Sequence, residues 1–291
     1  MLVKLTNNLE GNYEMQIGCH LSIRKGLYSA GEKAIDLGAN AFQIFTKNPR
    51  SLRPKNLDLA DAIKGKEFCA EHNLSILCHT PYITNLSTPK DDLHLLSVDS
   101  LVEDLKIVEA YGSIGGVVHC GKHVGEGVEY GIQRMVETLN LIFDRYDGPA
   151  MLLLENTAGM GTEIGMEPDE LVQIRQMTKY PERIGFCFDT CHAFAAGIWN
   201  NELFDQFMVS IEKSGFLENL VALHFNDCKD AFNNKKDRHA KIGEGQIGIS
   251  ALQKFLKSEK LAHIPFLLET PVDDEEEYRD EIVLLKRLIA N

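Results

Sequence analysis

Seven imidazole or carboxylate side chains, His20, His79, His119, Glu155, Asp189, His224 and Glu269, stand at the ends of short apolar runs. Three more lie in the segments that follow: His192 in DTCH, and Asp237 with His239 in DRH. A lone histidine more often packs or faces solvent. Those at 72, 94, 123 and 263 illustrate this by falling outside the run-end pattern. Gathered together without counter-ions, buried acids and imidazoles cost several kcal/mol each, so such a cluster is either paired or filled with metal. Few cations lie near these positions.

Imidazole plus carboxylate, with no thiolate needed, suits zinc, manganese or iron better than calcium or magnesium. Cys120 and Cys191 adjoin His119 and His192. Neighbouring residues of a strand point to opposite faces, so Cys120 is expected to pack. Asp237 and His239, at i and i+2, point the same way if their segment is extended and can share an ion. His79, His119, Glu155, Asp189, His192, His224, Asp237, His239 and Glu269 make nine candidate ligands. A catalytic zinc takes about three, so nine suffice for two or three ions. Three divalent ions against four carboxylates leave roughly +2 of local charge, a pocket that attracts phosphate. Clustered ions clamp the attacking and leaving oxygens of an in-line displacement and bring the pKa of bound water to about 7, which is the chemistry of phosphoester hydrolysis.

The residues need a frame that brings distant segments to one rim. Eight apolar runs read as buried parallel strands: MQIGCH (15–20), AFQIFT (41–46), LSILCH (74–79), IGGVVH (114–119), AMLLLE (150–155), IGFCFD (184–189), LVALHF (220–225) and IPFLLE (264–269). Each gap holds a segment with helical spacing, such as LHLLSVDSLVEDLKIVEAYG. Eight βα units in about 275 residues predict a single-domain (β/α)8 TIM barrel over 15–291, whose active site belongs at the carboxyl ends of the strands. An open doubly wound sheet usually carries GxGxxG after its first strand, and GCHLSIRKG lacks it. Residues 1–14 are an N-terminal extension of unknown role. The acidic run at 273–277 is expected to open the last helix as a solvated face.

With 44% hydrophobic residues in 291, the chain can fill one large core. No run approaches the ~20 apolar residues of a membrane span, and the first residues lack a signal-peptide pattern. Seven cysteines, an odd number with no CxxC pair, suggest a reducing compartment. The expectation is an intracellular protein, neither secreted nor membrane-bound. Thirty Lys and Arg against 43 Asp and Glu give a net charge of −13, which argues against loose nucleic-acid binding unless metal reverses the charge locally.

The motifs GCHLS (18–22), AFQIFTKNPR (41–50), HTPYITNL (79–86), LLLENTAG (152–159), GFCFDTCHAFAAG (185–197), HFNDCK (224–229), DRHAKIGEGQIG (237–248) and LLETP (267–271) occur in this order. In them the sequence resembles the endonuclease IV family, the zinc-dependent apurinic/apyrimidinic (AP) endonucleases of base-excision repair. The resemblance implies a (β/α)8 barrel that cuts duplex DNA 5′ to an abasic site and leaves a 3′-OH. It implies three zinc ions per chain, with manganese or iron possible in part of the cluster. His79, His119 and Glu155 would hold one; Glu155 would bridge to a second held by Asp189, His224 and Glu269; His192, Asp237 and His239 would hold the third. A hydroxide bridging the first two would attack phosphorus, oriented by Glu269, which with Glu155 makes the catalytic pair. Arg50, Tyr82 and Ile83 occupy the positions where the family inserts side chains into DNA, and Lys47, Lys122 and Lys229 are candidate phosphate contacts. Such a nuclease can work as a monomer.

The main rival is a metal-dependent sugar isomerase or epimerase of the xylose isomerase type, which has the same barrel but needs neither five imidazole ligands nor the DRH pair. A catalytically idle DNA-binding barrel would not need the complete ligand set.

Overall fold

The computed structural model describes residues 15–290. The strands are β1 (Ile17–His20), β2 (Ala41–Phe45), β3 (Ser75–His79), β4 (Gly116–His119), β5 (Leu152–Glu155), β6 (Ile184–Asp189), β7 (Leu220–His224), the two-residue β8 (Asp227–Cys228) and β9 (His239–Ala240), and β10 (Phe266–Leu268). All but β8 and β9 close into a parallel barrel in the order β1-β10-β7-β6-β5-β4-β3-β2. The chain is a single-domain TIM barrel, as the eight apolar runs predict. Every barrel strand but β6 is shorter than its run, by one to three residues. The extension expected over residues 1–14 lies outside the described residues.

The helices are α1 (Leu27–Asp36), α2 (Leu59–Glu71), α3 (Asp91–Tyr111), α4 (Val128–Arg145), α5 (Pro168–Met177), α6 (Thr190–Ala196), α7 (Phe204–Lys213), α8 (Ile249–Leu256) and α9 (Tyr278–Ala290). Sequence pattern explains their placement. In α3, Val98, Leu101, Leu105 and Val108 recur at spacings of three and four and bury one stripe against the barrel. Asp58 caps α2 by accepting from the amides of Ala60 and Asp61. The acidic run forms a capped turn at Asp274, where Glu275–Glu277 lead into α9. Trp199 is fully buried, donates its indole N–H to the Thr190 carbonyl and packs edge-on against Phe255. Among the described residues no helix is long and apolar enough to cross a membrane.

Inside the barrel, Ala41, Leu77, Val117, Leu153, Cys187, Ala222 and Leu267 form one buried layer, a residue from each strand but β1. On β1 the same level belongs to Gly18, which pairs with Ala41 and Leu267. A Cβ there would lie 1.8 Å from the Ala41 carbonyl oxygen, so only glycine fits. This layer is the floor of the site.

Candidate metal centre

Side chains two residues apart on a strand point the same way. Two positions beyond the apolar layer stand His20, Gln43, His79, His119, Glu155, Asp189, His224 and Glu269, one from each barrel strand or just past its end. The fold thus turns eight separate strand ends into one ring. Four of its members, His20, His79, His119 and Glu269, line a cavity of about 740 Å³ together with Tyr82, Lys122, Asp237 and His239.

Within this ring and the loops above it, ligand-type atoms converge in groups in which every atom lies within 4.8 Å of the others. One group is His79, His119 and Glu155; a second is Glu155, Asp189, His224 and Glu269; a third is His192, Asp237 and His239. All nine candidate ligands are brought together, and Glu155 belongs to two groups. A fourth, overlapping group is Asp189, Cys191 and His239. Cys191 is fully buried, and its neighbour Cys228 together with burial pushes its thiol up. Cys120 packs as expected, with its thiol on the Glu155 carbonyl.

The geometry fits a metal centre better than a set of ordinary ion pairs. Glu155 Oε2, His192 Nε2 and His239 Nε2 are buried and make no hydrogen bond. Glu155 Oε2 nevertheless lies 3.1 Å from His119 Nε2 and 3.4 Å from His79 Nε2. His192 Nε2 and His239 Nε2 stand 3.2 and 3.3 Å from Asp237 Oδ1. Buried polar atoms without partners are costly, and lone pairs aimed at a common point are what a cation satisfies.

For four of the five imidazoles the other nitrogen fixes which one is presented. His79 Nδ1 donates to the Thr80 carbonyl at 2.6 Å, His192 Nδ1 to the Asn156 carbonyl at 2.9 Å and His239 Nδ1 to the Glu269 carbonyl at 3.1 Å. All three turn Nε2 inward. His224 is reversed: its Nε2 is 2.7 Å from Gln43 Oε1, and its Nδ1 lies 2.8 Å from Glu155 Oε1 and 3.1 Å from Glu269 Oε2.

Electrostatics follow from this crowding. Burial opposes charge on Glu155, yet the imidazoles of His224 and His119 hold its carboxyl well below the usual range. Burial likewise opposes charge on His239, but Asp189 and Asp237 raise it to about 9. Asp237 is held well below the usual carboxylate range despite its burial, by His192 and His239. The crowded acids need positive charge, and a bound cation would supply it while leaving the imidazoles neutral and free to ligate.

Sequence reasoning missed the residues that support the ligands. Asp189, last in β6, also caps α6 by accepting from the His192 amide at 2.7 Å, which sets His192 on the first turn. Asn156 donates to the Asp189 carbonyl and accepts from its amide, and Asn226 donates to Asp189 Oδ2 at 2.8 Å while accepting from the Glu269 amide. The fully buried carboxylate of Asp227 accepts from the amides of Cys228, Gly243, Gly245, Ile247 and Gly248. It thereby ties the segment after β9 beneath Asp237 and His239. A Cβ on Gly245 would lie 2.4 Å from Asp227 Oδ1, which accounts for a glycine in GEGQIG. The available signal was the polar residue beside each ligand, Asn156 after Glu155 and Asn226 with Asp227 after His224.

Of the expected nucleic-acid contacts, Tyr82 and Ile83 line the cavity and stand 41% and 46% exposed. Arg50 is exposed and donates from Nε to the Tyr82 hydroxyl at 2.9 Å. Lys122 lines the cavity opposite Glu163, 3.5 Å away, and Lys229 is exposed outside the lining. Lys47 does not fit a phosphate contact. Its ammonium is buried, 3.0 Å from Asp104 and bonded to the hydroxyl and carbonyl of Ser100. Drawing it out would abandon a buried carboxylate. Lys47 anchors the loop that carries Arg50.

Residues 32–288 match the family described as xylose isomerase-like TIM barrels, so the fold and rim belong to that class of barrel enzyme. Within it the relatives are specific. The chain is 49% identical to a probable endonuclease 4 of Symbiobacterium thermophilum over 275 residues, covering 94% of this chain and all of the relative. It superposes on endonuclease IV from Thermus thermophilus with a TM-score of 0.83 and 32% identity, covering 94% of this chain and 99% of the other. The protein belongs to the endonuclease IV family and is a metal-dependent hydrolase of the nuclease kind. A D-tagatose 3-epimerase-like protein, with a TM-score of 0.70 and 20% identity over 95% of this chain and 97% of that one, shares the fold alone.

Proposed function

We propose that this enzyme is an AP endonuclease of base-excision repair, hydrolysing the phosphodiester 5′ to an abasic site in duplex DNA and leaving a 3′-OH. The observation that carries the reading is the set of buried, unbonded atoms at the rim, Glu155 Oε2, His192 Nε2 and His239 Nε2. These residues fit divalent ions. His79, His119 and Glu155 would hold one, Glu155 with Asp189, His224 and Glu269 a second, and His192, Asp237 and His239 a third. Five imidazoles in nine ligands favour zinc, with manganese or iron as substitutes. Bound there, such ions lower the pKa of water toward about 7 and neutralise charge on a phosphoryl oxygen.

The chain's own residues do the rest. The Glu269 carboxylate opens onto the cavity, held on one oxygen by Gln43 and on its backbone amide by Asn226, so it is fixed to orient an attacking water. Tyr82 and Ile83 present apolar surface that replaces a missing base in the stack, where flipping costs least. Arg50 holds the Tyr82 hydroxyl and adds positive charge beside it. Lys122 and Lys229 take backbone phosphates. One chain supplies every ligand, so a monomer suffices. Residues 15–291 form the one catalytic domain, with residues 1–14 an extension to it. Seven free cysteines agree with work inside a reducing cell.

The test is incubation of purified protein with a labelled duplex carrying one abasic site, with and without chelator, beside a ketose control. The expected result is a single cut 5′ to the site, lost on chelation and restored by zinc, with the ketose unchanged. Turnover of the ketose, or an intact duplex after zinc loading, would contradict the reading.

A further inference from the structure

The ring has eight members, and seven are imidazole or carboxylate. The eighth, Gln43 on β2, is fully buried, with both amide N–H groups and the carbonyl oxygen engaged by neighbouring ring members. Its Nε2 donates to Glu269 Oε1 at 2.6 Å and lies 2.9 Å from His20 Nδ1, while its Oε1 lies 2.7 Å from His224 Nε2. Only one orientation of the amide works, because its flip would set a carbonyl oxygen against the Glu269 carboxylate. In this orientation His224 donates its Nε2 proton to Gln43 and turns Nδ1 toward Glu155 and Glu269. His79, His192 and His239 are fixed by backbone carbonyls, which no side-chain substitution removes. His224 depends on a side chain.

We infer that Gln43 is the positioning residue of the second ligand group: one amide sets the tautomer of His224 and the direction of the Glu269 carboxylate together. The inference rests on the proposed metal-dependent function and adds to it a residue that holds no ion itself. Loss of such an outer partner typically weakens metal binding about 10–100-fold. Gln43→Met keeps the volume and removes the amide, and Gln43→Leu serves as a second variant if the first does not fold.

The experiment loads each protein with zinc and follows its release to a competing chelator. Steady-state incision of the abasic duplex and the nitrogen-15 spectrum of the histidine rings complete it. In the wild type, His224 should be protonated at Nε2. In the variants, one zinc equivalent should be released at about 10–100-fold lower chelator strength, with the others unchanged. Turnover (kcat) should fall at least about 10-fold while KM stays within about 2-fold. Variants that match the wild type in zinc retention and kcat would overturn the inference, as would a wild-type His224 protonated at Nδ1. A wild type that binds no zinc or leaves the duplex intact would count against the proposed function instead, so the two failures are distinguishable.

Discussion

At the residue scale the proposed chemistry falls on Glu269, which stands one residue past β10 and faces both His224 and the cavity. Glu269→Gln keeps its shape and removes its charge. The variant should fold normally and lose at least about 10²-fold in kcat for abasic-site incision, since several kcal/mol of transition-state stabilisation pass through this group. Full activity would assign the role elsewhere. Seven of the nine candidate ligands were legible because each is an unusual residue type at the end of an apolar run or just beyond it, and Asp237 and His239 because they stand two apart in DRH. Gln43 was not, because an amide inside AFQIFT reads as an interruption of a strand; the two-residue register from Ala41 would have found it. Lys47 misled for another reason. Its partner Asp104 lies on α3, far along the chain, and no local pattern ties the two.

At the scale of elements, strand register does the gathering and loops do the holding. The apolar runs specified the barrel strands and their direction, since a parallel strand buried on both faces has little alternation to hide it. The β8–β9 pair was invisible, for two-residue strands carry no period. Asp227 is its anchor, a buried carboxylate with five amide donors, and a substitution there tests whether the segment bearing Asp237 and His239 is built from below. Asp227→Asn should lower stability by roughly 2–4 kcal/mol, read as a shift in denaturant midpoint, because an NH2 group would face amides that need an acceptor. It should also weaken the third ion group. An unchanged midpoint would show that the loop is held by other contacts.

For the whole molecule, a net charge of −13 must coexist with binding to a polyanion. The proposed reading resolves this locally: the rim would gather divalent cations, with a few exposed basic side chains beside it. Arg50, Lys122 and Lys229 are the exposed candidates, so the logarithm of duplex affinity should fall with the logarithm of salt at a slope of about −3. Lys122→Ala should make that slope shallower by about 1. Lys47→Ala should leave the slope unchanged and destabilise the fold by about 3–5 kcal/mol through the uncompensated Asp104. A reversed pattern would return Lys47 to the phosphate surface. Neither outcome could be read from composition, which gives total charge and not its distribution.

The convergence of nine ligands on three ions is tested most directly by titrating metal-free protein with zinc and counting tightly bound equivalents per chain as incision activity returns. The expected result is three equivalents, with full incision only at the third. Saturation at a single equivalent, with activity already complete, would contradict it.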